Sequence, residues 1–337
     1  MSNKKPLRRV AIIGTGAIGA SWAALFLAKG LDVVATDVAP DAETALRRFV
    51  AASWPALERL GLARGASQSR LAFTGDMQTA VSAADFVQES GPERIDFKKK
   101  LYRQLDELLP AEVIVASSSS GLTMSEIQSD CPLHPERCVI GHPFNPPHLV
   151  PLVEIVGGAK TAEATIKRAT EFYRELGKQP VRLRKEVPGH VANRIQAALA
   201  REVYHLVAED VISVADVDKA LCWGPGLRWG IMGQVLLNHL GGGQGGIDHF
   251  FEQFTKPMTA WWKTLGSPEL TPDVQRKLID GLHAEVGARS ISQLEAQRDE
   301  VLLGLLELRN KYEKPSTARQ EGVDLTSSSS AGSEIGR

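Results

Sequence analysis

Cysteine is scarce in this chain of 337 residues: Cys131, Cys138 and Cys222 are the only three, and no two stand in a CxxC pair. Neither a disulfide framework nor a zinc site of ordinary ligand spacing is indicated, and a reducing, cytoplasmic setting fits. Net charge is nearly absent as well, since 39 Lys and Arg against 40 Asp and Glu leave −1 at pH 7. Without a global field for nucleic acid or an anionic membrane, small molecules are the expected partners. Long apolar runs are missing too. The basic start MSNKKPLRRVAIIG reaches a glycine after four apolar residues, too few for a signal-peptide core, and no later segment approaches the length of a membrane span.

What is present is a 43% hydrophobic chain, long enough for two domains with a substantial core. From Arg9 the order is strand (VAII), glycine-rich turn, helix (AIGASWAALFLAKG) and strand (DVVATD). This βαβ alternation belongs to a parallel sheet covered by helices. Further strand-like runs are DFVQES, VIVASS, CVIGH, PLVEIV and PVRLR, with helical runs such as ERIDFKKKLYRQLDELL between most of them. The fold class expected is α/β: a doubly wound domain over residues 1–185, then an all-helical domain over 186–313, where stretches such as IQAALAREVYHLVAED take over. Residues 314–337 are polar and low in complexity, and read as a tail that buries too little to order itself.

GTGAIG places Gly14, Gly16 and Gly19 directly after the first strand and before a helix. The first glycine makes the tight turn, the second lets a pyrophosphate approach the backbone, and the third lets helix and strand pack closely. Free N–H groups at the helix start then face the phosphates. Asp37 follows the next strand, 23 residues after Gly14, where a carboxylate accepts both ribose hydroxyls. It is followed by Val38, Ala39 and Pro40, with no arginine to receive a 2′-phosphate. The cofactor expected is therefore NAD rather than NADP. No metal is expected.

GHPFNPPHLVPLVEI, residues 141–155, sets His142 and Glu154 into a run otherwise almost wholly apolar or proline. Pro143, Pro146 and Pro147 forbid a helix, and PLVEI suits a strand. A histidine titrating near neutrality suits removal of a hydroxyl proton as hydride leaves for nicotinamide, and a carboxylate on its other nitrogen would fix the tautomer. A histidine capping the strand, with the glutamate paired elsewhere, stands equally on these residues alone.

The set GTGAIG, ASSSSGL, GHPFNPP with PLVEI, and PGHVANR, in this order and with these separations, resembles the 3-hydroxyacyl-CoA dehydrogenase superfamily over about residues 8 to 313. The resemblance implies that His142 and Glu154 form the catalytic pair, with Asn145 beside them. It implies further that Ser120 and Asn193 contact the substrate oxygen, that Glu93 in VQESGPERIDFKKK lies near the nicotinamide, and that the protein is a homodimer formed through the helical domain. A run of four serines could also be a mere polar loop, and Asn193 a helix cap.

Within that superfamily, CWGPGLRWGIMG departs from the turn common in acyl-CoA members, and residues 40–74 hold five arginines but no lysine for a CoA phosphate. The pattern G-x-G-x-R-[WY]-x-x-x-G looks like the carnitine dehydrogenase and L-gulonate 3-dehydrogenase (lambda-crystallin) branch. That likeness implies a free L-3-hydroxy acid as substrate, with Arg228 forking onto its carboxylate and Trp229 beside it. Trp223, Trp229, Trp261 and Trp262 could form a cage for a quaternary ammonium, although core packing explains aromatic residues at helical spacing as well. An L-3-hydroxyacyl-CoA thioester is the alternative substrate, and a crystallin-like NAD-binding structural protein without turnover is the alternative of another class.

Overall fold

The computed structural model describes residues 7–313, so the expected tail at 314–337 lies outside them. Eight strands form one sheet: β1 (Arg9–Ile13), β2 (Asp32–Thr36), β3 (Leu71–Phe73), β4 (Phe86–Glu89), β5 (Ile114–Ser117), β6 (Cys138–Pro143), β7 (Leu152–Gly157) and β8 (Gln179–Arg182). Their order across the sheet is β3-β2-β1-β4-β5-β6-β7-β8. Pairing is parallel everywhere except between β6 and β7, which run antiparallel because a short proline-rich loop joins them instead of a crossover helix.

Alternate residues of each strand point to opposite faces, and each face carries its own core. Val10 and Ile12 join Trp22, Phe26, Phe86, Phe172 and Tyr173 on one side. Ala11 and Ile13 join Val87, Leu101, Tyr102 and Leu105 on the other. Helices Ala17–Ala28, Ala42–Leu60 and Glu163–Glu175 cover the first face, and Ile95–Leu108 covers the second. Strand order reverses between β1 and β4, the switch point beyond whose carboxyl ends doubly wound sheets hold their ligands.

After β8 the chain is helical, beginning with Ala192–Ala208 and closing with Ile291–Glu313. Ser213 and Thr271 cap two of these helices by accepting the amides of Asp216 and Val274. The last helix returns to the first domain, where Glu300 and Glu307 pair with Arg59 at 2.7 and 3.1 Å. Many apolar side chains of this part remain uncovered. Trp223 is 80% exposed, and Trp261, Trp262, Val235 and Ile231 are also exposed. Among the described residues, core packing therefore does not account for these tryptophans, because the helices that carry them leave one apolar side uncovered.

Candidate active site

At the nucleotide end, Gly14 has φ +87°, and a Cβ there would stand 2.7 Å from the Ser90 carbonyl oxygen. One on Gly19 would stand 1.9 Å from the Gly14 carbonyl oxygen, so helix and strand touch at that point. A Cβ on Gly16 would meet nothing within 4 Å. The chain is thus closed behind the turn and open in front of it, and no side chain caps the helix Ala17–Ala28. That cradle fits a pyrophosphate. Asp37 lies just past β2; its Oδ2 accepts the Thr15 amide at 2.6 Å and the Thr15 hydroxyl at 3.0 Å, and its Oδ1 accepts the Ala39 amide. Burial pushes its pKa up, but these bonds outweigh it and hold the carboxyl below the usual range. Lone pairs remain for ribose hydroxyls.

A cleft of about 530 Å³ opens beside this turn, lined by Ile18, Ser90, Ser118, Ser120, His142 and Asn193 among others. Gly91, Glu93, Phe144, Asn145 and Gln196 complete much of the wall. Strands β4, β5 and β6 deliver the serines and His142 at their carboxyl ends, and the proline-rich loop delivers Phe144 and Asn145.

His142 and Glu154 are direct partners in the antiparallel β6/β7 register, with Nδ1 and Oε2 2.9 Å apart. A carboxylate only accepts, so Nδ1 carries a hydrogen, and in the neutral ring Nε2 is the free acceptor. The other oxygen of Glu154 accepts the amides of Val191 and Ala192, at 2.9 and 3.0 Å, where the helix Ala192–Ala208 begins. Burial pushes Glu154 up, yet the bonds from His142, Ala192 and Val191 bring its pKa below the usual carboxylate range. Glu154 thereby orients the imidazole and fixes the entry of the helical domain together.

Asn193, in the first turn of that helix, donates to the Ser120 carbonyl at 3.1 Å. Glu93 gathers the serine loop: its Oε1 accepts the Ser119 hydroxyl at 2.7 Å and the amides of Ser120 and Gly121 at 2.9 and 2.8 Å. Beneath them Lys98 and Glu89 form a buried pair at 2.8 Å, and Glu89 also accepts from Ser117 and from the Gly91 amide. Ser118 takes the indole hydrogen of Trp22 and lies 2.9 Å from the Ser90 hydroxyl.

Of the residues expected from sequence, the structure brings Ser120, His142, Asn145, Asn193 and Glu93 to one cleft, with Glu154 behind His142. Arg228 and Trp229 do not line it. Arg228 is exposed on the short helix Pro225–Trp229 without a side-chain hydrogen bond among the described residues, and Trp229 donates to Gln234 at 2.6 Å. No ring contact joins any two of the four tryptophans into a cage among those residues. Sequence reasoning missed Ser90, Ser118, Gln196 and His190. Gln196 stands three residues after Asn193, hence on the same helix face. His190 has φ +51° and is buried 5.1 Å, ring to ring, from His142, with Nε2 donating to the Ser119 carbonyl and no partner on Nδ1 among the described residues.

Comparison with known proteins agrees with this geometry. Residues 9–187 match "3-hydroxyacyl-CoA dehydrogenase, NAD binding domain" and residues 189–278 match "3-hydroxyacyl-CoA dehydrogenase, C-terminal domain". The L-carnitine dehydrogenase of Streptomyces griseus is 48% identical over 300 residues, covering 89% of each chain. That of a Pseudomonas species is 48% identical over 301 residues, covering 89% of this chain and 94% of its own. Among solved structures, the NAD+ dependent dismutase 5-formyl-3-hydroxy-2-methylpyridine 4-carboxylic acid 5-dehydrogenase superposes with a TM-score of 0.77 at 32% identity, covering 92% of this chain and 99% of that one.

Proposed function

Because the chain belongs to the 3-hydroxyacyl-CoA dehydrogenase family, we propose that its cleft oxidises the 3-hydroxyl of a short free L-3-hydroxy acid, carnitine-like or gulonate-like, to the 3-oxo acid. It is an NAD-dependent dehydrogenase acting on CH–OH. The observation that carries the finer reading is the His142–Glu154 pair at 2.9 Å in the wall of a cleft shared with Ser120 and Asn193.

Gly14, Gly16, Gly19 and Asp37 would hold NAD, which when bound would supply the acceptor for the hydride leaving C3. His142 Nε2 takes the hydroxyl proton, and the Glu154 carboxylate steadies the resulting imidazolium through the Nδ1 hydrogen. Ser120 Oγ and the second amide hydrogen of Asn193 donate to the substrate oxygen while it carries alkoxide charge. Glu93 holds the loop of Ser120 through the Ser120 and Gly121 amides, and Asn145, which lines the same cleft, is assigned to the substrate.

Relatives of the free-acid kind support the substrate class: L-carnitine is a carboxylate, and the dismutase is named for a carboxylic acid. Arg228 is the residue we assign to that carboxylate. It does not line the cleft of its own chain, so this role requires a homodimer in which a second copy brings it near. The exposed Trp223, Leu227, Trp229 and Ile231 around it support such an interface. NADH formation with L-carnitine, gulonate, 3-hydroxybutyrate and 3-hydroxybutyryl-CoA tests the proposal. Turnover of a free acid with little activity on the thioester is expected, and the reverse order would transfer the assignment to the acyl-CoA substrate.

A further inference from the structure

Lys178 is 4% exposed and its ammonium has no carboxylate partner among the described residues. Its hydrogens go instead to the carbonyl oxygens of Pro147 and Val150, at 2.6 and 2.5 Å, and Nζ lies 5.1 Å from the centre of the Trp22 ring. Both carbonyls belong to the loop between β6 and β7, which contains Pro146, Pro147 and Pro151 and so has few amides of its own. A buried carbonyl left without a donor costs about 1 to 3 kcal/mol. An apolar side chain of equal length would fill the same space without burying a charge. What lysine adds is the pair of donors.

Lys178 lies in the turn just before β8, and a second hold on the same stretch comes directly from the nucleotide-binding helix Ala17–Ala28. The His148 amide donates to Ser21 Oγ at 2.8 Å, and that hydroxyl lies 2.8 Å from His148 Nδ1. Trp22, under the ammonium, reaches the other way and donates to Ser118 in the cleft wall at 3.2 Å. One end of the loop is therefore fixed by β6 at His142 and Pro143, the other by Lys178 and Ser21, and between them project Phe144 and Asn145, both lining the cleft.

We propose that Lys178 is a positioning residue of the active site, its buried amino group clamping residues 147–150 onto the turn before β8, above Trp22 of the nucleotide-binding helix, so that Phe144 and Asn145 are held over the substrate. The proposal rests on the assignment of the cleft to a hydroxy acid only for its kinetic consequence. Loop order is independent of which substrate is correct.

The test is amide hydrogen exchange of the full-length protein, followed at His148, Leu149 and Val150, whose amides are bonded to Ser21 Oγ and to the Pro146 carbonyl. Lys178→Met removes both donors, and Lys178→Gln keeps an amide donor for one carbonyl. Exchange at these three amides is expected to rise at least tenfold in Lys178→Met and by less in Lys178→Gln. The KM for the hydroxy acid should rise at least fivefold in Lys178→Met, with kcat and NAD affinity changed less than twofold. Should Lys178→Met fail to fold, the Lys178→Gln exchange decides alone. Unchanged protection at 148–150 in a folded variant overturns the clamp. A general fall in melting temperature with kcat, KM and NAD affinity all altered alike also overturns it, since that is a structural lysine. If no hydroxy acid is turned over by the wild-type protein, the substrate assignment fails while the exchange result still stands or falls by itself.

Discussion

The side-chain amide of Asn193 donates to the backbone carbonyl of Ser120 across 3.1 Å, joining the first turn of the helical domain to the loop after β5. Two residues widely separated in the sequence are thus held together in the wall of the cleft, and Asn193 keeps a second amide hydrogen, the one assigned to the substrate oxygen in the proposed reaction. Asn193→Ala is expected to lower kcat/KM by about 10²-fold, as for loss of one preorganised donor to a charged oxygen. NAD affinity, measured by fluorescence titration, should be unchanged. A fall in NAD affinity without a fall in kcat would place Asn193 elsewhere in the reaction.

Asp37 carries two loads. Its carboxylate is expected to select NAD over NADP, and its Oδ2 also anchors Thr15 inside the glycine turn. Asp37→Ala should weaken NAD and move the ratio of kcat/KM values toward NADP. Asp37→Asn, which keeps an acceptor for Thr15, should retain more NAD affinity than Asp37→Ala. Because the fold holds this carboxyl below the usual range, the preference should be constant from about pH 5 upward.

His148 predicts an acid-sensitive fold. Burial pushes its pKa from 6.5 down to about 4, so between those values the unfolded chain binds a proton that the native state excludes. Stability should fall as pH is lowered from 6.5 toward 4 and the loss should level off below, amounting to at most roughly 3 to 4 kcal/mol. In His148→Asn, whose Oδ1 can accept from Ser21, melting temperature against pH should lose that slope. An identical slope in the variant would assign the acid sensitivity to another group.

Arg228 separates the substrate classes. If it forks onto a carboxylate, Arg228→Ala should lower efficiency with a free hydroxy acid at least about tenfold, the worth of charge-assisted bonds, and Arg228→Lys by less. Activity on a CoA thioester should change far less. Light scattering on the same samples should give twice the chain mass. A monomer with full activity on the free acid would remove the second copy from the site and Arg228 with it.

Much of this was legible in the sequence for physical reasons. The glycine turn has one geometry that fits Gly14, Gly16 and Gly19, and a strand buried on both faces shows as a continuous apolar run such as VAII. Strand β3 did not show this way, because its three residues are too short a run to mark a strand. The four serines from 117 to 120 look alike in sequence, yet they divide: Ser117 serves Glu89, Ser118 faces the cleft with Ser90, Ser119 serves Glu93, and Ser120 stands at the lip. Only tertiary placement separates them. The clamp by Lys178 was invisible for the same reason, since both its partners are backbone carbonyls and carry no side-chain signature. Arg228 and Trp229 were picked out by a pattern, and the fold of one chain leaves both outside the cleft.

On the proposed reading His142, oriented by Glu154, is the base that takes the hydroxyl proton. The most direct measurement is the rate of NADH formation by His142→Ala on the acid that the wild-type protein turns over best, beside the NAD affinity of the same variant. The rate should fall by about 10² to 10⁴-fold with NAD affinity unchanged. A His142→Ala protein that forms NADH at the wild-type rate would contradict the account.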